Sequence, residues 1–232
     1  MKKIIATVLV GVLAGCGGSN LSLSVKAGSA AAVASSGAAL TAGTGIVLTR
    51  VRVVIRKLEL EKAAAAASAD AGTAATEADE TDEIASGPYL LDLSGTTLDG
   101  GGVAKLLDAT FAPGNYREIK FEVHKPQSGE TAANASLQDM IDAQASIIAD
   151  GTIDGAAFSF KTSVTAEQEL EGNLALADGS NLTVNVDASS WFTASGGRLD
   201  PRNEANRSQI ENNIQKSFKA FKDDDHDGHE DR

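Results

Sequence analysis

The stretch IVLTRVRVVIRKLEL, residues 46–60, decides how this chain reads. Val47, Thr49, Val51, Val53 and Ile55 share one face of an extended segment, and Arg50, Arg52 and Arg56 take the other. A repeat of two with β-branched residues is the pattern of a half-buried strand. The phase then reverses: Leu58 and Leu60 are apolar, whereas Lys57, Glu59 and Glu61 are charged. One extra residue turns the side chains of a strand over, so the reversal predicts a bulge or break near Arg56 and Lys57. A helix through Val51, Val54, Ile55 and Leu58 is the competing pattern, and the β-branched content argues against it.

The same alternation extends outward. Leu21, Leu23 and Val25 alternate with Ser22 and Ser24, and an Ala/Gly/Ser/Thr-rich loop follows over 27–45. Residues 62–87 read as an insertion, a polyalanine run with the bias of a short helix and then an acidic, solvated loop. Tyr89, Leu91 and Leu93 mark a short strand, and 103–110 fits a strand or a helical stretch. Pro113-Gly114 is a turn leading to Ile119, Phe121 and Val123, which alternate with Glu118, Lys120, Glu122 and His124. Ser136 is placed to cap a helix with Leu137, Met140, Ile141, Ile147 and Ile148 on one stripe, stopped by Gly151. Three strands follow, carrying Phe158, Phe160, Thr162 and Val164, then Leu170, Leu174 and Leu176, then Leu182, Val184 and Val186. Asp178-Gly179 is a hairpin signal between the last two. Together these predict a mainly β chain: an antiparallel β-sandwich over 21–192 with an inserted short helix and a C-terminal amphipathic helix.

This order resembles an uncharacterised domain family of bacterial lipoproteins with a transthyretin-like (prealbumin-like) β-sandwich. The matching stretches are 46–60, 89–93 and 106–122, the last containing DATFAPGNY at 108–116. The shared motifs are structural, a strand, a Pro-Gly turn and a strand. The resemblance therefore implies a fold and transfers no catalytic residue.

The N-terminus points to the same envelope setting. Lys2 and Lys3 precede an apolar run from Ile4 to Leu13, and Leu13-Ala14-Gly15-Cys16 closes it with the sole cysteine. The run is too short for a transmembrane helix, which needs ~20 residues, and has signal-peptide length. It resembles a lipoprotein lipobox, which implies a signal peptide over 1–15, diacylation of the Cys16 thiol and acylation of its new amine. Residues 16–20 then form a tether. Gly17 in place of aspartate implies sorting to the outer membrane. Cleavage removes two lysines, so the formal charge moves from −12 to −14. Such an acidic chain is repelled by nucleic acid and by anionic lipid head groups. A single cysteine permits no intrachain disulfide and no CxxC site.

At the far end, Ile210, Ile214, Phe218 and Phe221 have helical spacing, and the helix they predict begins near Asp200-Pro201 within a segment 198–232. It runs into DDDHDGHED at 223–231. Asp223, Asp225 and Asp227 occupy positions one, three and five of an EF-hand-like loop, with Gly228 at six. His229 offers its carbonyl at seven and Asp231 stands at nine, while the bidentate glutamate of position twelve would fall beyond Arg232. The motif resembles the abbreviated calcium loops of thrombospondin type-3 repeats and dockerins. The alternatives are a solvated acidic tail and a transition-metal site on His226 and His229.

Nothing else assembles into a catalytic constellation. His124 falls on the polar face of a strand, Trp191 reads as a core plug or a sugar-stacking surface, and Glu167, Glu169 and Glu171 face solvent together. The expected protein is a non-enzymatic, lipid-anchored envelope lipoprotein that binds an unknown protein or glycan or has a structural role. The alternative is a carbohydrate-binding module or carbohydrate-active enzyme.

Overall fold

The computed structural model describes residues 19–27, 39–63, 81–85, 87–98, 102–195 and 197–231. The signal segment, Cys16 and residues 64–80 of the alanine-rich insertion lie outside the described residues, whereas 81–85, expected as part of a solvated acidic loop, forms a strand. The chain is mainly β and builds two facing sheets. The smaller sheet has the order β14–β11–β1–β6, from β1 (Ser19–Ala27), β6 (Ala104–Phe111), β11 (Ser180–Val186) and β14 (Phe218–Lys222). The larger sheet has eight strands. Its path runs through β10 (Ala166–Leu176), β7 (Gly114–Val123), β3 (Ile46–Lys62), β8 (Ile147–Ile153) and β9 (Ala156–Thr162). Three further strands pair with β3: β2 (Leu40–Thr41), β4 (Thr81–Ala85) and β5 (Tyr89–Ser94). A small ribbon joins β12 (Thr193–Ala194) to β13 (Gly197–Arg198). All described pairs are antiparallel except β1 with β11, which run parallel.

The quoted stretch is the spine of the larger sheet. Over its length β3 pairs with β2, β8, β5, β7 and β4. The bulge falls where the phase reversal put it: the β3–β7 register shifts between Arg56 and Glu59, and Lys57 has φ 58°. A second shift, between Leu48 and Arg50 against β8, escaped the alternation. Because of it Ile46 and Leu48, rather than Val47 and Thr49, join Val51, Val53, Ile55, Leu58 and Leu60 in the core. Gly151 belongs to this second bulge. A Cβ there would collide with the carbonyl oxygen of Val47, so the glycine serves a close backbone approach and not a helix stop.

The core fills the space between the sheets. Leu21, Leu23, Val25, Leu182, Val184 and Val186 come from the smaller sheet, and Ile119, Phe121, Phe158 and Phe160 from the larger. Each such side chain contributes about 1.5–3 kcal/mol when fully buried. On the outer face of the larger sheet a second, small cluster joins Val54, Leu90 and Ile148 to Leu137 and Met140. It lies under α1 (Gln138–Asp142), which is much shorter than the predicted helix because Ile147 and Ile148 belong to β8. Ile148 pairs across β3 with Arg52, and the β-branched run from 147 extends rather than coils.

Two other expectations change. Asp178-Gly179 makes a turn, with Gly179 at φ 82°, but it is no hairpin: β10 lies in the larger sheet and β11 in the smaller. The turn is pinned instead to the start of β1, through Asn20 N donating to Asp178 Oδ1 at 2.8 Å and Gly179 N donating to the Asn20 carbonyl at 2.9 Å. The C-terminal helix α2 (Arg207–Gln215) ends before Phe218, and β14 carries Phe218 and Phe221 onto the edge of the smaller sheet. Only Ile210 and Ile214 use the helical spacing. Residues 198–232 therefore supply a strand of the sandwich.

Candidate metal centre

The C-terminal acidic loop starts directly after β14, as a continuation of a strand. The carboxylates therefore do not face the negative end of a helix dipole, as they would had the predicted helix run into them. Asp223 N donates to the Asn181 carbonyl at 3.0 Å and Asn181 Nδ2 donates to the Asp223 carbonyl at 2.8 Å, extending the β14–β11 contact by one residue. The Asp223 side chain has no exposed surface. Thr183 Oγ1 donates to its Oδ2 at 2.6 Å, and Gly228 N lies 3.2 Å from both of its oxygens. The chain thus folds back over Asp223 through a tight turn, with His226 at φ 58° and Gly228 at φ 78°. Asp227 N donates to Asp225 Oδ1 at 3.2 Å and His229 N to Asp227 Oδ1 at 2.7 Å, two turns of the kind short acidic side chains make with their own backbone.

This geometry brings Asp223, Asp225 and Asp227 together: one carboxylate oxygen from each lies within 4.8 Å of the other two. Asp223 is buried and the other two are exposed, so the three carboxylates can hold a metal ion at the protein surface. Their all-oxygen character suits a hard cation. Asp231 has another role. Its Oδ2 accepts from Asp224 N at 2.7 Å and its own N donates to the Lys222 carbonyl at 2.9 Å, which closes the loop onto the end of β14. For His229 the observed contact is its backbone N–H on Asp227.

The sequence reading passed over four residues that shape this loop. Asn181 and Thr183 hold Asp223 from β11, while Lys222 pairs with Asp224 at 2.6 Å. Burial pushes the Asp224 carboxyl up, but hydrogen bonds from Lys222 and Asn181 outweigh it and hold the group below its ordinary value. The fourth is Lys26, only 2% exposed, whose Nζ donates to the Gly228 carbonyl at 2.6 Å. Burial pushes the Lys26 ammonium down, against the pull of Asp223 and Asp227. In sequence Lys26 merely continues the polar face of Ser22 and Ser24. Nothing local says that this face is covered.

Other candidates settle as structural parts. Trp191 has no exposed surface and its Nε1 donates to Ser217 Oγ at 2.8 Å, so its ring offers no face to a sugar. His124 is buried rather than solvent-facing, with Nε2 2.8 Å from Glu130 Oε2, because the chain after β7 folds back over it. Glu167, Glu169 and Glu171 are exposed on the edge strand β10. Comparison with protein-family models, with curated proteins and with solved structures gives no match to this chain.

Proposed function

We propose that this chain is a non-enzymatic lipoprotein of the bacterial cell envelope, held to the outer membrane by lipid on Cys16. It presents a transthyretin-like β-sandwich for binding or structural work. The observation that carries the reading is the junction of motif and fold. The lipobox cysteine stands three residues before Ser19, where β1 enters the interior of the smaller sheet. A lipid at Cys16 would hold the sandwich close to the bilayer by one of its own central strands. Stable anchoring takes two or more acyl chains, which the triacylated cysteine supplies.

The acidic loop adds calcium to this reading. Asp223, Asp225 and Asp227 are the oxygen donors, water completes the shell, and the affinity is that of extracellular modules, on the order of 10⁻⁴ to 10⁻³ M. Cell fractionation and calorimetry test both parts. Cys16→Ser is expected to release the protein from the membrane fraction, and a serine variant that resists a high-salt wash defeats the anchor. Calcium titration is expected to give heat that Asp225→Ala with Asp227→Ala removes. Silence at millimolar calcium in the unsubstituted protein removes the calcium reading and leaves the loop a structural closure on the end of β14.

A further inference from the structure

A buried ammonium group already sits where the acidic loop needs positive charge. Lys26 lies near the end of β1, paired in register with Asn185 of β11, and its side chain runs along the outer face of the smaller sheet to the Gly228 carbonyl. That carbonyl belongs to the turn that closes Asp223, Asp225 and Asp227 around one another. An ammonium has three donors, and among the described residues Lys26 uses one, the 2.6 Å bond to Gly228. Its charge therefore stands against Asp223 and Asp227 mainly through space, with the lysine and Asp223 buried and Asp227 facing solvent. The fit is close on the loop side too. A Cβ on Gly228 would lie 2.8 Å from Lys26 Nζ and 3.0 Å from Val103 Cγ2, so the lysine packs directly against a glycine that its positive φ already favours.

We propose that Lys26 is the resident cation of the C-terminal loop, so that a divalent ion taken up by Asp223, Asp225 and Asp227 must compete with its ammonium group for the same carboxylates. The loop is then folded without metal. Uptake of a divalent ion weakens the tie between the last turn of the chain and the strand nearest the lipid anchor. An ammonium and a dication drawn to the same carboxylates repel each other, most strongly on the buried side of the site at Asp223. This deepens the calcium reading above and rests on it only for the competing ion, since the lysine clasp stands without metal.

Hydrogen exchange and calcium calorimetry on the full chain in detergent separate the two ideas. In chelator, Lys26→Met is expected to speed amide exchange over 224–231 at least tenfold and leave β3 and β7 protected. In calcium, the same variant is expected to bind at least tenfold more tightly than the unsubstituted protein. Unchanged exchange in chelator overturns the clasp. Equal calcium affinity in both proteins overturns the competition and leaves the calcium reading standing. Faster exchange with no calcium heat in either protein supports the clasp and removes the calcium reading alone. Should Lys26→Met not fold, Lys26→Gln, which removes the charge and keeps a hydrogen-bond donor for the Gly228 carbonyl, is expected to bind calcium more tightly than the unsubstituted protein, and equal affinity overturns the competition.

Discussion

Asp223 and Asp225 are two residues apart in one acidic run, yet they are physically unlike. Asp223 is fully buried and accepts from Thr183 Oγ1 and Gly228 N, while Asp225 is exposed and accepts from the backbone of Asp227. Truncating a buried, hydrogen-bonded carboxylate leaves its donors and the nearby Lys26 uncompensated, a class of change that costs about 3–5 kcal/mol. Truncating an exposed one stays within about 0.5 kcal/mol. Asp223→Ala is therefore expected to lower the urea midpoint sharply and Asp225→Ala hardly at all. Equal effects would mean that Asp223 is not the anchor of the loop. The same contrast separates structure from metal affinity, because Asp225→Ala tests coordination without disturbing the sheet.

At the scale of the element, the bulge of β3 carries the clearest test. Lys57 adopts φ 58°, a conformation that costs a side chain roughly 1 kcal/mol and that glycine adopts freely. Among the described residues its ammonium pairs with Glu59, at 3.2 Å. Lys57→Gly is expected to hold or raise stability by up to about 1 kcal/mol, and Lys57→Val to lower it, because a branched Cβ tolerates this region least. Deleting Lys57 removes the extra residue and drives Leu58 and Leu60 out of the core, about 1.5–3 kcal/mol each. Chemical denaturation of the three variants checks the order glycine, valine, deletion. The opposite order would mean that the bulge is a consequence of packing and not its cause. The same logic explains β14. Phe218 and Phe221 are three apart, a spacing that suits a helix, but Leu182 pairs with Lys222 and Val186 with Phe218, and the open edge of β11 claims the segment as a strand.

The whole molecule responds to acid through a set of carboxylates held below their ordinary range. Arg202 holds Asp200 down to about 2, Arg198 lowers Asp154, Gln127 and His124 lower Glu130 despite its desolvation, and Lys222 with Asn181 does so for Asp224. In the unfolded chain such groups titrate near 4. Each folded value is depressed, so each contribution is complete above the unfolded range and is lost as the pH falls through the folded value. Stability is expected to decline from about pH 5 toward pH 2, and Asp200→Asn to make that decline shallower. Urea midpoints across this range decide it, and a variant with the same slope as the unsubstituted protein removes Asp200 from the account.

Local sequence determined the β character of this protein, the bulge at Lys57 and the acidic ladder of the C-terminal loop. Each of these is written in a repeat of two, a phase reversal or a fixed spacing of short-range contacts. Tertiary structure alone decided the second bulge near Thr49, where β3 and β8 approach over Gly151, and the pairing of β1 parallel to β11 from the far end of the chain. It also converted two helical spacings into strands, at Ile147–Ile148 and Phe218–Phe221, since an unpaired sheet edge offers a backbone hydrogen bond for every second residue and a short helix end does not. The partnership of Lys26 with a loop 202 residues away is of the same kind. A lysine after two alternating serines reads as solvent-facing until the last turn of the chain covers it.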